Sequence, residues 1–336
     1  MSALSNDGKI VDLAHGNYAY LQEGGSWGWS NAGLVTSDGV SLLVDTLFDV
    51  RLTDAMLQAF RATTPAARHI EALVNTHNDG DHTHGNQLLT GSRIIASKAA
   101  AEAMVDGVKP ADFEAMLAGA ANLGDLGRFL VENFGPPFHF GGIEYVLPTE
   151  TFSGETTVTV GSKQVQLIEV GPAHTPGDVI AYVESDRTVF TGDILFNGSH
   201  PVIWAGPITN WIDACDRIIG WNPEVIVPGH GPMATLDSVR ELRAYFEYLI
   251  EIGRESRDAG LTPWQAARKA QAEERWINWG ESERLVVNFA SVYEYLGDEP
   301  YFPVALEGLR EMARFAYSHD ARTQDAHSQD KVEEIA

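Results

Sequence analysis

Residues 75–86 read NTHNDGDHTHGN and place three histidines and two aspartates directly after the apolar run HIEALV. Neutral imidazoles and carboxylates are the ligand set of a first-row divalent ion. Three further segments carry the same residue types, each behind a run that reads as a strand: GPAHTPGD (171–178), FTGDILF (190–196) and VPGHG (227–231). Loops leaving strand ends are where a rigid scaffold brings distant side chains to one point. The candidate metal ligands in the four segments are His77, Asp79, Asp81, His82, His174, Asp193 and His230. Together they suffice for two metal ions if one carboxylate bridges. Any one segment alone reads as an ordinary turn, but the four in this order are hard to explain as turns. No serine or cysteine nucleophile arrangement accompanies them, so hydrolytic chemistry here would use a water activated by metal.

Such a cluster needs strands to carry it. Segment 33–49, GLVTSDGVSLLVDTLFD, reads as a hairpin turning at Ser-Asp-Gly. RLTDAMLQAFRATTP has helical spacing and ends before Pro65. IEALVNT reads as a buried strand that delivers the opening motif, and TGSRIIAS as another. Residues 97–134 are helix-rich, and from about 143 the pattern turns to β, with strands either side of Gly161-Ser162 and a hairpin turning at 184–187. TNWIDACDRIIG is then helical, EVIVPGHG begins with a short strand, and residues 235–317 are largely helical with caps at Thr235 and Thr262. Trp276, Trp279, Leu285, Val286, Phe289 and Tyr293 predict amphipathic helices that dock on the core or on a second subunit, an arrangement compatible with a homodimer. The polar tail 318–336 predicts disorder.

Bulk properties narrow the partners. The chain has 336 residues, 44% of them hydrophobic, and a formal net charge of −24, which argues against a phosphate-neutralising nucleic-acid surface. No apolar stretch approaches the ~18 residues of a membrane span, and the N-terminal MSALSNDGKIVDL has no signal pattern. The expectation is a cytoplasmic protein acting on a small molecule, with no membrane partner. A single cysteine excludes an intramolecular disulfide and a thiolate cluster. Cys215 shares a helical face with Trp211 and with Ile218 or Ile219, and reads as a core residue.

The order H-x-D-x-D-H, distant His, Asp, final His resembles the signature of the metallo-β-lactamase superfamily, over roughly residues 16–245. WGWSNAGLV, TGDILF and VIVPGHGP are also similar to a bacterial branch related to polyketide cyclase-thioesterases. The resemblance implies an α/β fold, an αββα sandwich with a dinuclear site at one edge of its sheets. It places His77, Asp79 and His174 on a first metal, Asp81, His82 and His230 on a second, and Asp193 between them. The domain expected is 1–245, with a helical insertion at about 97–142 and a helical extension at 246–317 packed on it.

The activity implied is hydrolysis of an ester, thioester, lactone or amide by hydroxide generated at the metals, with Asp81 also orienting the nucleophile or taking its proton. The signature departs from the family at Asp79, where most members have His. Two divalent ions are implied, Zn²⁺ first, and a hard carboxylate at Asp79 tilts the preference toward Fe or Mn. It opens a second reading: a di-iron or mono-iron oxygenase or other oxidoreductase on the same scaffold.

Four residues near the motifs are candidate substrate contacts: His84, His200, Trp204 and Phe138. The insertion carries Phe113, Phe129, Phe134, Phe138 and Phe140, and its position between motif strands suggests a lid. An apolar, partly aromatic pocket and a matching substrate are the expectation.

Overall fold

A computed structural model describes residues 8–22 and 26–318. Of the tail predicted to be disordered, only Ser318 is among them, and it is helical; the remainder lies outside the described residues.

Alternation of apolar side chains on both faces of successive strands builds two sheets. The first runs in chain order through β1 (Lys9–Asp12), β2 (Asn17–Leu21), β3 (Ala32–Ser37), β4 (Val40–Val44), β5 (Ala72–Val74), β6 (Arg93–Ser97) and β7 (Glu150–Phe152). The second has the order β12-β11-β10-β9-β8, from β8 (Glu155–Val160), β9 (Lys163–Glu169), β10 (Val179–Val183), β11 (Thr188–Phe190) and β12 (Val225–Val227). The hairpin expected over 33–49 is β3–β4, paired from Gly33↔Val44 to Ser37↔Val40. Strands expected around Gly161 and around 184–187 are β8–β9 and β10–β11. The β character expected from 143 starts later: residues 143–148 form no regular element, and pairing begins at Glu150 against β6. Pro148 has no amide hydrogen to give to a ladder.

The layers follow from which way each side chain points. Val35, Leu42, Val44, Val74 and Ile95 meet Val165, Leu167, Val179, Ala181 and Val183 between the sheets. Leu34, Leu43, Leu73 and Ile94, one residue out of step, pack outward on Met56, Leu57 and Phe60 of α1 (Val50–Thr63). Behind the second sheet, Ile168, Ile180, Tyr182 and Ile226 pack on a larger helical layer. The result is an αββα sandwich.

A short helix, α2 (Gly80–Thr83), follows β5. The insertion supplies α3 (Lys98–Asp106), α4 (Pro110–Ala118) and α5 (Asp125–Phe134). The back layer holds α6 (Ile208–Trp221), α7 (Leu236–Asp258), α8 (Pro263–Ala272) and α9 (Leu285–Tyr295). Thr235 and Thr262 cap α7 and α8 through their side chains. Leu285, Val286, Phe289 and Tyr293 are buried, and Trp276 and Trp279 pack against them, so the C-terminal helices dock on the core of this chain. Cys215 is a free thiol in the buried face of α6, and burial pushes its pKa up, away from nucleophile chemistry. No described helix is long and apolar enough to cross a membrane.

Candidate metal centre

β4 runs parallel to β5 and β11 parallel to β12, while β10 is antiparallel to both β9 and β11. The loops that follow β9, β11 and β12 therefore leave the second sheet on one side. His174, Asp193 and His230 sit in those three loops, and His77 to His82 follow β5. Strand direction is what turns four distant motifs into one cluster.

All seven candidate side chains converge. His77, Asp79 and His174 form one group whose ligand atoms lie within 4.8 Å of one another, and Asp81, His82 and His230 form another. Asp193 lies between them, with Oδ2 3.3 Å from His174 Nε2 and 3.2 Å from His230 Nε2, and Oδ1 3.1 Å from His82 Nε2. Asp79 Oδ2 is 3.1 Å from His174 Nε2, and Asp81 Oδ2 is 3.3 Å from His230 Nε2. The unusual aspartate of the signature therefore points into the cluster.

Outer hydrogen bonds set the tautomers. His82 Nδ1 donates to Asp45 Oδ2 at 3.0 Å, His174 Nδ1 to the Val202 carbonyl at 2.7 Å, and His230 Nδ1 to the Trp29 carbonyl at 3.0 Å. Thr76 Oγ1 donates to Asp45 Oδ2 and accepts from His77 Nδ1 at 2.9 Å. Each imidazole thus spends its Nδ1 proton outward and turns a bare Nε2 lone pair inward. His77 Nε2, His82 Nε2 and Asp193 Oδ1 are buried there without a hydrogen-bond partner. Buried acceptors facing one another require a cation, so the donor set fits divalent metal.

Burial and neighbouring charges set how these groups titrate. Burial works to lower the His82 imidazole, but the Asp193 and Asp45 carboxylates outweigh it and lift its pKa well above the ordinary value. Burial likewise opposes the charged form of His174 and His230, yet neighbouring carboxylates lift both to about 9. His77 is the exception: burial, helped by His82, lowers it to about 4. Burial raises Asp81 and Asp193, but the surrounding imidazoles hold both well below the usual carboxylate range.

Backbone geometry shapes the loops. A side chain on Gly229 would place its Cβ 2.0 Å from Asp193 Oδ1, and Gly192 has φ +51° against the Thr76 side chain. Asn31 holds the His230 loop through the carbonyls of Pro228 at 3.0 Å and Gly231 at 2.8 Å. Asn75 and Asn86 hydrogen-bond to each other across the His77–His82 loop.

Asp45 and Asp178 are absent from the candidate ligands: Asp45 stands outside the four segments, and Asp178 closes GPAHTPGD as a second titratable residue beside His174. Asp45 has φ +63°, and takes Thr76 N, Thr76 Oγ1 and His82 Nδ1. Its signal was a lone aspartate closing the apolar run SLLV. Asp178 takes the amides of Ala173 and Thr175 and so fixes the loop around His174. Burial pushes its pKa up to about 6.

The four candidate substrate contacts are buried or half-buried. His84 is buried, stacks on Phe48 at 5.4 Å, and gives Nδ1 to the Phe48 carbonyl. Phe138 is 3% exposed and meets Trp29 and Phe48 at 4.8 and 4.9 Å, deep in the insertion's aromatic cluster. Trp204 is half-buried in the same layer, and its amide donates to the His174 carbonyl. His200 is buried, and its Nδ1 accepts from the Tyr245 hydroxyl, which itself accepts from Asn288.

Two cavities flank the loop after Asp193. A cleft of about 300 Å³ is lined by His230, Ser26, Asn197, Ser199, Glu281 and Arg284. A second space of about 120 Å³ is lined by His200, Tyr245, Tyr248, Trp276 and Trp279. A pairing of Ser199 with Gly280 lies between them. The aromatic lining expected of the pocket thus belongs to the second space, while the cleft beside His230 is lined by glycines, Pro232 and polar or charged side chains.

Comparison with known proteins agrees with this geometry. A metallo-beta-lactamase from Pontibacter korlensis matches with a TM-score of 0.52 at 16% identity, covering 71% of this chain and 99% of that one. TMB-1, whose structure concerns substrate and inhibitor binding, matches with a TM-score of 0.51 at 16% identity, covering 72% of this chain and 97% of that one. At such identity the likeness is one of fold. The 2,4-dinitroanisole O-demethylase subunit alpha of Nocardioides sp. (strain JS1661) is 31% identical over 84 residues, 24% of this chain and 26% of that protein. The match therefore spans about a quarter of the curated relative. The family model described as the metallo-beta-lactamase superfamily matches residues 25–230, more than half of the chain, and the chain belongs to that superfamily.

Proposed function

We propose that the protein is a metal-dependent hydrolase acting on an ester, thioester, lactone or amide of a small apolar or aromatic substrate. One observation carries the reading: the buried Asp193 carboxylate lies 3.3 Å from His174 of one three-residue ligand group and 3.2 Å from His230 of the other. His77, Asp79 and His174 would hold one divalent ion, Asp81, His82 and His230 the other, and Asp193 both. Zinc is the ion proposed, with iron and manganese the alternatives that Asp79 introduces. Bound there, the pair supplies a Lewis acid for a carbonyl oxygen and a water made acidic near neutral pH.

The chain's own groups supply the rest. Asp81, held ionised by its imidazole neighbours, is placed to orient an attacking water and receive its proton. Asp45 keeps His82 in the tautomer that leaves Nε2 free. The cleft at His230 admits the substrate. The test is hydrolysis of a panel of aryl esters and thioesters by protein purified without added metal, read with its elemental content. Chelator-sensitive turnover supports the reading; full turnover after complete metal removal sinks it.

A second reading has its own support. His77, Asp79 and His174 make a two-histidine, one-carboxylate group of the type used by non-heme iron oxygenases. The curated relative is named as a demethylase of an aromatic ether. Two irons per chain with oxygen uptake would favour this oxidoreductase; zinc with anaerobic ester hydrolysis would remove it.

A further inference from the structure

Arg284 lies beyond the span matched by the family, in the turn that leads into α9, yet it lines the cleft that His230 also lines. Its side chain is 2% exposed. The guanidinium sits between two rings, 4.0 Å from the centroid of Trp27 and 5.3 Å from that of Phe196. Phe196 in turn stacks flat on His230, 5.0 Å away at 2°. Nη1 donates to the His200 carbonyl at 2.8 Å, while Nε is buried with no hydrogen-bond partner. Among the described residues no carboxylate forms an ion pair with it; the neighbouring Glu283 instead accepts from Trp27 Nε1 at 2.9 Å.

Burying a guanidinium is costly, and the nearby Glu283 carboxylate, which feels the Arg284 charge, forms no hydrogen bond or ion pair with it to repay the desolvation. Stacking between aromatic faces offsets only part of that cost and fixes the plane of the fork. Its remaining donors match a planar oxyanion. Among the residues lining the cleft, Arg284 is the one permanent cation, beside the candidate metal ligand His230, and Glu281 is the one carboxylate. One guanidinium beside a carboxylate suits a monoanion, and disfavours a phosphate dianion.

We propose that Arg284 is the anion subsite of this cleft and recognises a carboxylate carried by the substrate. The proposal rests on the cleft beside His230 being the substrate's, and narrows the substrate class to acyl compounds bearing a free carboxylate. The hydrolysed bond lies toward the metal centre and the carboxylate toward the C-terminal extension. An extension outside the family domain thereby selects what reaches the metals.

The test separates binding from turnover. Chelator-treated protein is titrated calorimetrically with benzoate and with benzyl alcohol, so that no metal competes for the carboxylate. Wild type binds benzoate at least about tenfold tighter than benzyl alcohol, and Arg284→Met removes that advantage while leaving benzyl alcohol unchanged. Arg284→Lys retains part of it, and Glu281→Gln tightens benzoate severalfold, which covers the case in which Arg284→Met does not fold. Equal benzoate binding by wild type and Arg284→Met, or no effect of Arg284→Lys and Glu281→Gln, overturns the subsite. Arg284-dependent benzoate binding in a protein whose metal-loaded form hydrolyses no ester keeps the subsite and discards the hydrolase.

Discussion

Asp45 Oδ2 lies 3.0 Å from His82 Nδ1, and the same carboxylate takes the hydroxyl and amide of Thr76 beside His77. One carboxylate thus orients an imidazole in each half of the cluster. Asp45→Asn keeps the shape and tolerates φ +63°, but supplies an amide where His82 needs a strong acceptor. Metal affinity should fall about 10–100-fold with the fold intact. Competition against a chromophoric chelator, with circular dichroism as control, measures both.

Asp193 stands between the two ligand groups, so Asp193→Ala should release metal from both at once. Elemental analysis after desalting should find well under one ion per chain. Retention of one full equivalent would show that one group binds without the bridge.

Asp79 points at His174 from 3.1 Å. Asp79→His exchanges a hard oxygen for a nitrogen and should keep the fold while shifting bound metal toward zinc. Unaltered metal content and unaltered rate would mean that Asp79 is no ligand.

Phe138 reads from sequence as a lid residue whose loss raises KM. Its ring is instead packed among Trp29, Phe48 and Phe140. Phe138→Ala should therefore destabilise the fold by about 3–5 kcal/mol, the usual cost of deleting a buried aromatic ring. A raised KM with an unchanged melting temperature would restore the lid.

His200 gives a dependence on pH. Burial, with the Arg284 charge, lowers its pKa from 6.5 to about 3. Between those values the unfolded chain binds a proton that the folded chain refuses, so stability rises with pH across that window and is lost as pH falls through it. His200→Gln removes this penalty. The melting temperature of wild type relative to His200→Gln should be highest above pH 6.5 and should shrink toward pH 4. A difference that stays constant with pH would show that His200 is not held neutral.

Much of the fold was legible because periodicity carries it. The alternation in GLV and SLLV, the helical spacing of RLTDAMLQAF and the caps at Thr235 and Thr262 are local signals, and the corresponding elements form as expected. The stretch 143–148 reads as β in the sequence and forms no regular element, because a short apolar run says nothing about whether a neighbouring strand is there to pair with it.

The seven candidate ligands were legible for a different reason: metal chemistry accepts few residue types, and they stand in glycine-rich loops in a telling order. The residue types and their order, both properties of the chain, pointed to a metal centre of the metallo-β-lactamase kind. What holds those ligands was not legible. Asp45 and Arg284 are single charged residues with nothing distinctive around them, Asp178 gives no sign of its role inside the His174 segment, and their partners lie 37, 84 and 5 positions away. The tertiary structure alone decided that Asp45 orients His82, that Phe138 is core, and that the C-terminal extension walls the cleft. Burial and partner geometry are set by strands folding back on one another, and no local pattern encodes which distant side chain will be met there.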